Sequence, residues 1–174
     1  MSYHMRRMDR AINSVELLKL LLGKATHVTL AMADAGEPYA VPLSHSYDPD
    51  SNTVYFHCAK EGRKLDILKK NPRVWGLAVL DRGFDSGQCE NLYASVMFGG
   101  SVEFVEDRAE KLGVLRMQAR KNSGDVEGVL KRLDAAAVAA GSGPGVVFGK
   151  VRVESLTGKR STKLTEEKLR EALA

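Results

Sequence analysis

Cysteine is scarce in this chain of 174 residues: Cys58 and Cys89 are the only two. Two cannot build the disulfide framework of a small secreted domain. Long apolar runs are missing too, and nothing approaches the ~20 residues that span a bilayer. The opening stretch, MSYHMRRMDRAI, lacks the apolar segment of a secretory leader. A reducing cytoplasm is therefore the expected setting, with no membrane partner. Charge of one sign is not in large excess, since 26 Lys and Arg stand against 22 Asp and Glu. The resulting pI near 9.1 suits a small anionic ligand. A nucleic-acid binder usually concentrates its cations into one stripe, so no nucleic acid is expected. Arg6, Arg7 and Arg10 do cluster, but they read as a solvated arm.

Several chemical signatures are absent as well. A phosphate loop needs four residues between its first glycine and the Gly-Lys pair; Gly145 and Gly149-Lys150 have three between them, and Val151 follows. Gly141, Gly143 and Gly145 have the wrong spacing for a dinucleotide fingerprint and precede a strand. No Gly-x-Ser-x-Gly elbow occurs. His4, His27, His45 and His57 include no i, i+4 pair and the cysteines lie far apart, so no metal is expected. Cys89 reads as packing, because nothing near it in sequence lowers a thiol pKa.

What is present is an ordinary globular composition, 44% hydrophobic and 28% charged. Ser14 is placed to cap a helix over Val15–Leu22 that stops at Gly23. Thr26–Met32, Tyr39–Tyr47 and Thr53–Cys58 alternate as strands, joined by turns at Asp34-Ala35-Gly36 and at 48–52. A short helix over Lys64–Lys70 ends at Asn71-Pro72. Val74–Leu80 is nearly all apolar and reads as a strand buried on both faces. Asp81–Asn91 reads as a loop, and Tyr93–Val105 as a long strand bent at Gly99-Gly100. Helices follow at about Arg108–Arg120 and Val126–Ala140, then a break at Gly141–Gly145. Val146–Leu156 is the last strand, and Thr165 caps a terminal helix. The expected fold is α+β and mainly β: one domain, a six-stranded antiparallel split barrel with peripheral helices, a helical insertion at about 108–140 and a C-terminal helix at about 165–174.

One constellation carries chemistry. In His57-Cys58-Ala59-Lys60-Glu61-Gly62-Arg63-Lys64 a strand end leads into a helix start. Free amides, a helix dipole, a guanidinium and an ammonium together suit a phosphate. Two solvated charges opening a surface helix are the plainer reading of the same residues, and composition alone favours it.

A resemblance bears on that choice. Gly36-Glu-Pro-Tyr-Ala-Val-Pro-Leu-Ser44, Val54-Tyr-Phe-His-Cys58, Gly62-Arg-Lys-Leu-Asp66, Asn71-Pro-Arg-Val74, then Cys89, Tyr93-Ala-Ser-Val96 and Gly100 occur in order. Together they resemble the FMN-binding split barrels typified by pyridoxamine 5′-phosphate oxidase, in their nitroimidazole-resistance branch. Leu156-Thr-Gly-Lys159 resembles that branch too, and the likeness runs from about residue 8 to 162.

The resemblance implies a homodimer with FMN in a cleft between subunits. It implies that Arg63 and Lys64 grip the phosphate, and that Val41, Pro42, Leu43 and Ser44 lie along the isoalloxazine. His57 and Cys58 match strand-end positions beside the flavin. Tyr93, Ser95 and Val96 match the strand that crosses to the partner's cofactor, and Lys159 lies near the site. The implied activity is an oxidoreductase taking electrons from a reduced nicotinamide, through FMN, to a small acceptor such as a nitroaromatic. No side chain stands out as an acid–base catalyst. The C-terminal Trp and Arg of the vitamin B6 oxidases are missing, and the only tryptophan is Trp75, so pyridoxamine phosphate is not the expected substrate. A non-catalytic flavin or haem binder, with His45 or His57 on iron, and a deazaflavin in place of FMN remain open.

Overall fold

In a computed structural model, residues 5–87, 89–141 and 145–173 are described. His4 and part of the expected break, Ser142, Gly143 and Pro144, lie outside them. Helix α1 (Val15–Lys24) starts at Ser14, whose Oγ accepts from Leu17 N at 3.2 Å, and buries Leu17, Leu18, Leu21 and Leu22. Strands β1 (His27–Asp34), β2 (Glu37–Asp48) and β3 (Thr53–Ala59) form the expected meander. Helix α2 (Arg63–Lys70) separates them from β4 (Arg73–Asp85) and β5 (Glu90–Phe104). Helices α3 (Arg108–Asn122), α4 (Val126–Arg132) and α5 (Ala135–Ala139) follow, then β6 (Val146–Arg152), β7 (Ser155–Arg160) and α6 (Glu166–Leu173).

The strands pair in the order β4-β1-β2-β3-β6-β5-β7, and β4 also pairs with β5, which closes a ring. Every pairing in it is antiparallel. The structure divides the expected last strand, Val146–Leu156, into β6 and β7, so seven strands replace six. The reason is local. Val102 pairs with Val151 on β6 and Gly99 with Ser155 on β7, so three steps along β5 match four along its neighbour. A one-residue bulge at Val153-Glu154 thus interrupts a single lane, and the ring keeps six lanes. Val153 N leaves to bond Asn52 O at 3.0 Å, while Glu154 N bonds Gly99 O at 2.9 Å. At that crossing a Cβ on Gly100 would lie 2.4 Å from Arg152 O, so backbone proximity demands glycine where β5 bends.

Three further expectations change. Val74–Leu80 is not buried on both faces: Val74 and Ala78 point into the core, but Trp75 is 47%, Leu77 36% and Val79 50% exposed. The segment Asp81–Asn91 is not a loop, because β4 runs on to Asp85 and β5 begins at Glu90. Gly83 at φ 83° absorbs a register slip there, and Asp81 Oδ1 accepts from Gly83 N at 2.8 Å. The helix at Val126–Ala140 breaks at Asp134, which takes φ 44° and caps α5 through its side chain. An aspartate serves better as a cap than inside a helix.

The main core fills the ring and the space beneath α1, α2 and α6. Inside it, two phenylalanines face glycines across neighbouring strands, Phe98 opposite Gly76 and Phe56 opposite Gly149. A second core lies outside the barrel, where Tyr55 and Phe148 meet Val114, Leu115, Leu130 and Val138 of the inserted helices. Tyr55 Oη and Lys150 Nζ both reach Glu110 Oε1, at 3.1 and 3.0 Å, and tie α3 to that wall. Among the described residues no helix is long and apolar enough to cross a membrane.

Candidate functional site

Strand β2 pairs with β1 along its length from Glu37 to Ser44. With β3 it pairs only from His45 to Asp48. Beyond that point β3 turns to β6 alone, through His57, Cys58 and Ala59. The barrel is therefore split, and Tyr39–Ser44 has no strand on its second side. Leu43 is buried in the core, with Tyr39 and Val41 packed against it; Pro42 and Ser44 are exposed. What this edge presents to the opening is backbone. Pro42 has no N–H to give to a ladder, which suits an edge position.

Helix α2 begins at the end of β3, beside the other limit of the edge. Its cap, Gly62, has φ 125° and ψ 163°, a region almost reserved for glycine, and no side chain caps the helix. Apart from Gly62 and its chain neighbours, no described residue places a heavy atom within 4 Å of where a Gly62 Cβ would be, so the space beside the cap is open. Leu65, Ile67 and Leu68 anchor the helix in the core. Arg63 is exposed, and its guanidinium carbon sits 4.8 Å from the centroid of the Tyr39 ring. That cation–π contact joins the helix start to β2. Among the described residues, neither Arg63 nor Lys64 forms an ion pair. Cys58 points inward; burial raises its thiol pKa, and the Lys64 charge partly opposes this.

His57 points outward, toward the inserted helices. Its Nδ1 lies 2.8 Å from Gln118 Oε1 on α3, and its ring leans on Phe148. One turn further along α3, Lys121 Nζ donates to His45 O at 3.0 Å and lies close to the His45 ring. The last turns of α3 thus touch both strands where they part, β3 through Gln118 and β2 through Lys121. His45 is fully buried and its Nε2 lies 2.8 Å from Leu22 O. Burial, then the Lys121 charge, push its pKa from 6.5 down to about 4. Burial lowers Lys121 to about 8.

These shifts carry a pH dependence. The unfolded chain protonates His45 near 6.5, whereas the folded chain resists until about 4. Stability is therefore expected to fall as pH drops from 6.5 toward 4 and to level off below, as far as this group decides it. Denaturant midpoints measured across that range should slope for the native chain and flatten for His45→Gln. Equal slopes would show that other groups set the acid limb.

The remaining expected residues form a separate group. Ser95 pairs with Val79 on one side and Lys159 on the other, and Tyr93 pairs with Asp81. Val96 is fully buried in the core, and its backbone lies paired between Ala78 on β4 and Gly158 on β7. In the ring order β4 and β1 lie between β5 and β2. A single chain does not bring Tyr93, Ser95, Val96 and Lys159 to the Tyr39–Ser44 edge. Three residues that the sequence reading passed over belong to the opening: Tyr39, Gln118 and Lys121. Tyr39 was two places from Val41 on the same strand face. The only sign of the others was a polar pair spaced i, i+3 on a helix that buries its neighbours.

The fold recurs in solved structures. A Bacteroides thetaiotaomicron protein, named for a proposed role in 5-nitroimidazole antibiotic resistance, is 24% identical, covering 91% of this chain and 96% of its own, at TM-score 0.68. The flavocytochrome Anf3 of Azotobacter vinelandii is 19% identical over 91% of this chain and 72% of its own, at TM-score 0.71. The FAD and heme binding protein of Mycobacterium smegmatis is 17% identical over 87% and 73%, at TM-score 0.67. No curated protein matches. The family model described as pyridoxamine 5′-phosphate oxidase matches residues 14–160, so the chain belongs to that family.

Proposed function

We propose that this protein binds FMN as a homodimer and works as an oxidoreductase of the nitroimidazole-resistance type in the cytoplasm. One observation carries the reading: the unpaired edge Tyr39–Ser44 runs up to a helix start with free amides and two cations that, among the described residues, have no carboxylate partner. Arg63, Lys64 and the first amides of α2 hold the phosphate. The backbone from Val41 to Ser44 orients the ring edge, with Pro42 contributing only its carbonyl. His57 and Cys58 flank the opening from β3. Bound FMN supplies the electron transfer, from a reduced nicotinamide to a small acceptor such as a nitroaromatic. Relatives named as FAD-binding or as FAD- and haem-binding support a flavin in this fold.

The outer face of the sheet supports the second subunit. Trp75, Leu77, Val79 and Met97 are all at least 36% exposed and lie together on β4 and β5. Tyr93, Ser95 and Lys159 adjoin them. Joining two such faces buries the apolar side chains and delivers the second residue group to the partner's opening. Leu77→Asp in this face is expected to give monomers in light-scattering chromatography, with FMN bound at least about tenfold more weakly. A native chain that already runs as a monomer with FMN bound would defeat the dimeric site.

The direct test is the absorbance spectrum of the purified protein after incubation with FMN and removal of the excess. A flavin doublet is expected, and a colourless protein would overturn the proposal. Haem stays the second reading, supported by the neighbours named as a flavocytochrome and as a FAD and heme binding protein. His45 Nε2 is taken by Leu22 O, which leaves His57 Nε2 as its iron ligand, and a Soret band in the same spectrum would report it.

A further inference from the structure

We infer that Tyr39 is a positioning residue, whose ring holds the Arg63 guanidinium in place to receive a phosphate. The inference rests on the flavin reading and adds to it how a phosphate-bearing flavin is told from one without. Tyr39 pairs with Met32 of β1, and its half-buried side chain packs against the main core. It is a fixed platform. The exposed Arg63 side chain opens α2 beside the Gly62 cap and places its guanidinium carbon over that ring, 4.8 Å from the centroid. Among the described residues Arg63 has no ion pair, and neither side chain makes a hydrogen bond.

A free arginine loses much of its rotamer freedom when it closes on a ligand, and that loss weakens binding. A side chain already held loses less. What does the holding matters here. A carboxylate would restrain the guanidinium, but it would also repel an incoming phosphate and offset the charge that attracts it. An aromatic face restrains the cation through the ring quadrupole and leaves that charge whole. The guanidinium N–H groups stay uncommitted, ready for a bidentate grip on phosphate oxygens. Tyr39 lies on the same unpaired edge as Val41–Ser44. One strand therefore lies along the flavin ring and also sets the cation for its phosphate.

The test titrates FMN and riboflavin, which differ only in the phosphate, into the full-length chain and follows flavin fluorescence. The native chain is expected to prefer FMN. Tyr39→Leu keeps an apolar body but has no π face. It should bind FMN about two- to fivefold more weakly, the worth of a cation–π contact at an exposed site. Its riboflavin affinity should match that of the native chain, and Tyr39→Phe should match it with both flavins. In an Arg63→Ala background Tyr39→Leu should have no further effect on FMN, because the ring acts only through that cation. An equal loss for both flavins would make Tyr39 part of the cleft wall and overturn the inference. A loss that persists without Arg63, or that Tyr39→Phe shares, would overturn it too. If Tyr39→Leu fails to fold, Tyr39→Met takes its place. Failure of the flavin reading itself looks different: the native chain then binds FMN no better than riboflavin, or binds neither, and the inference falls with it.

Discussion

Replacing Phe98 with alanine is expected to destabilise the fold by about 3–5 kcal/mol, the usual cost of removing a buried phenylalanine ring. Phe98 is fully buried, and its ring lies over Gly76 on the neighbouring strand. A Cβ built on Gly76 would lie 2.0 Å from the tip of that ring. The glycine therefore leaves a hollow that the ring alone fills, so truncation opens a cavity that backbone shifts cannot close. Gly149 and Phe56 repeat the arrangement, with a Cβ 2.3 Å from the ring. The converse change, Gly76→Ala, is expected to cost about 1–3 kcal/mol by overpacking. Combining it with Phe98→Leu should cost less than the two separate losses together, because each change relieves the other. Denaturant midpoints at constant slope measure all of these. Full additivity would show that the ring and the glycine are independent.

Replacing Arg63 with alanine is expected to weaken FMN binding by about 1.5–3 kcal/mol, the worth of a charged hydrogen-bonding group. That corresponds to roughly ten- to 150-fold in Kd. The side chain is exposed, lies over the Tyr39 ring and, among the described residues, forms no ion pair, so the change should barely alter folding. Affinity and stability thus separate cleanly at this residue. Arg63→Lys should recover part of the affinity, since it restores the charge but not the planar fork. Titration calorimetry with FMN reads the loss, and a thermal melt of the apoprotein checks the fold. An affinity within about twofold of the native value would remove Arg63 from the phosphate grip.

Much of the barrel was legible in advance, because alternation and turn chemistry are local. The Asp34-Ala35-Gly36 turn, the Asn71-Pro72 stop and the Gly99-Gly100 bend all lie where the residues imply. The errors arose where distant strands decide. Trp75, Leu77 and Val79 look like a doubly buried strand, yet none of the described residues of the chain covers their outer side. The bulge at Val153-Glu154 depends on β3 and β5 pulling the same lane in two directions, which no neighbouring residue reveals. The same holds for the site. Arg63 and Lys64 follow from a helix start, but the partners Gln118 and Lys121 come from a helix more than fifty positions away.

The open side of β2 also bears on how the chain behaves during synthesis. A strand flank with unsatisfied backbone groups is a template on which a second copy can zip, the route to self-association and fibrils. Pro42 stands in the middle of that flank and interrupts any ladder trying to grow along it. The proline thus acts as a gatekeeper for the newly made polypeptide, and solubility of this protein in the cell becomes tied to whatever occupies the flank.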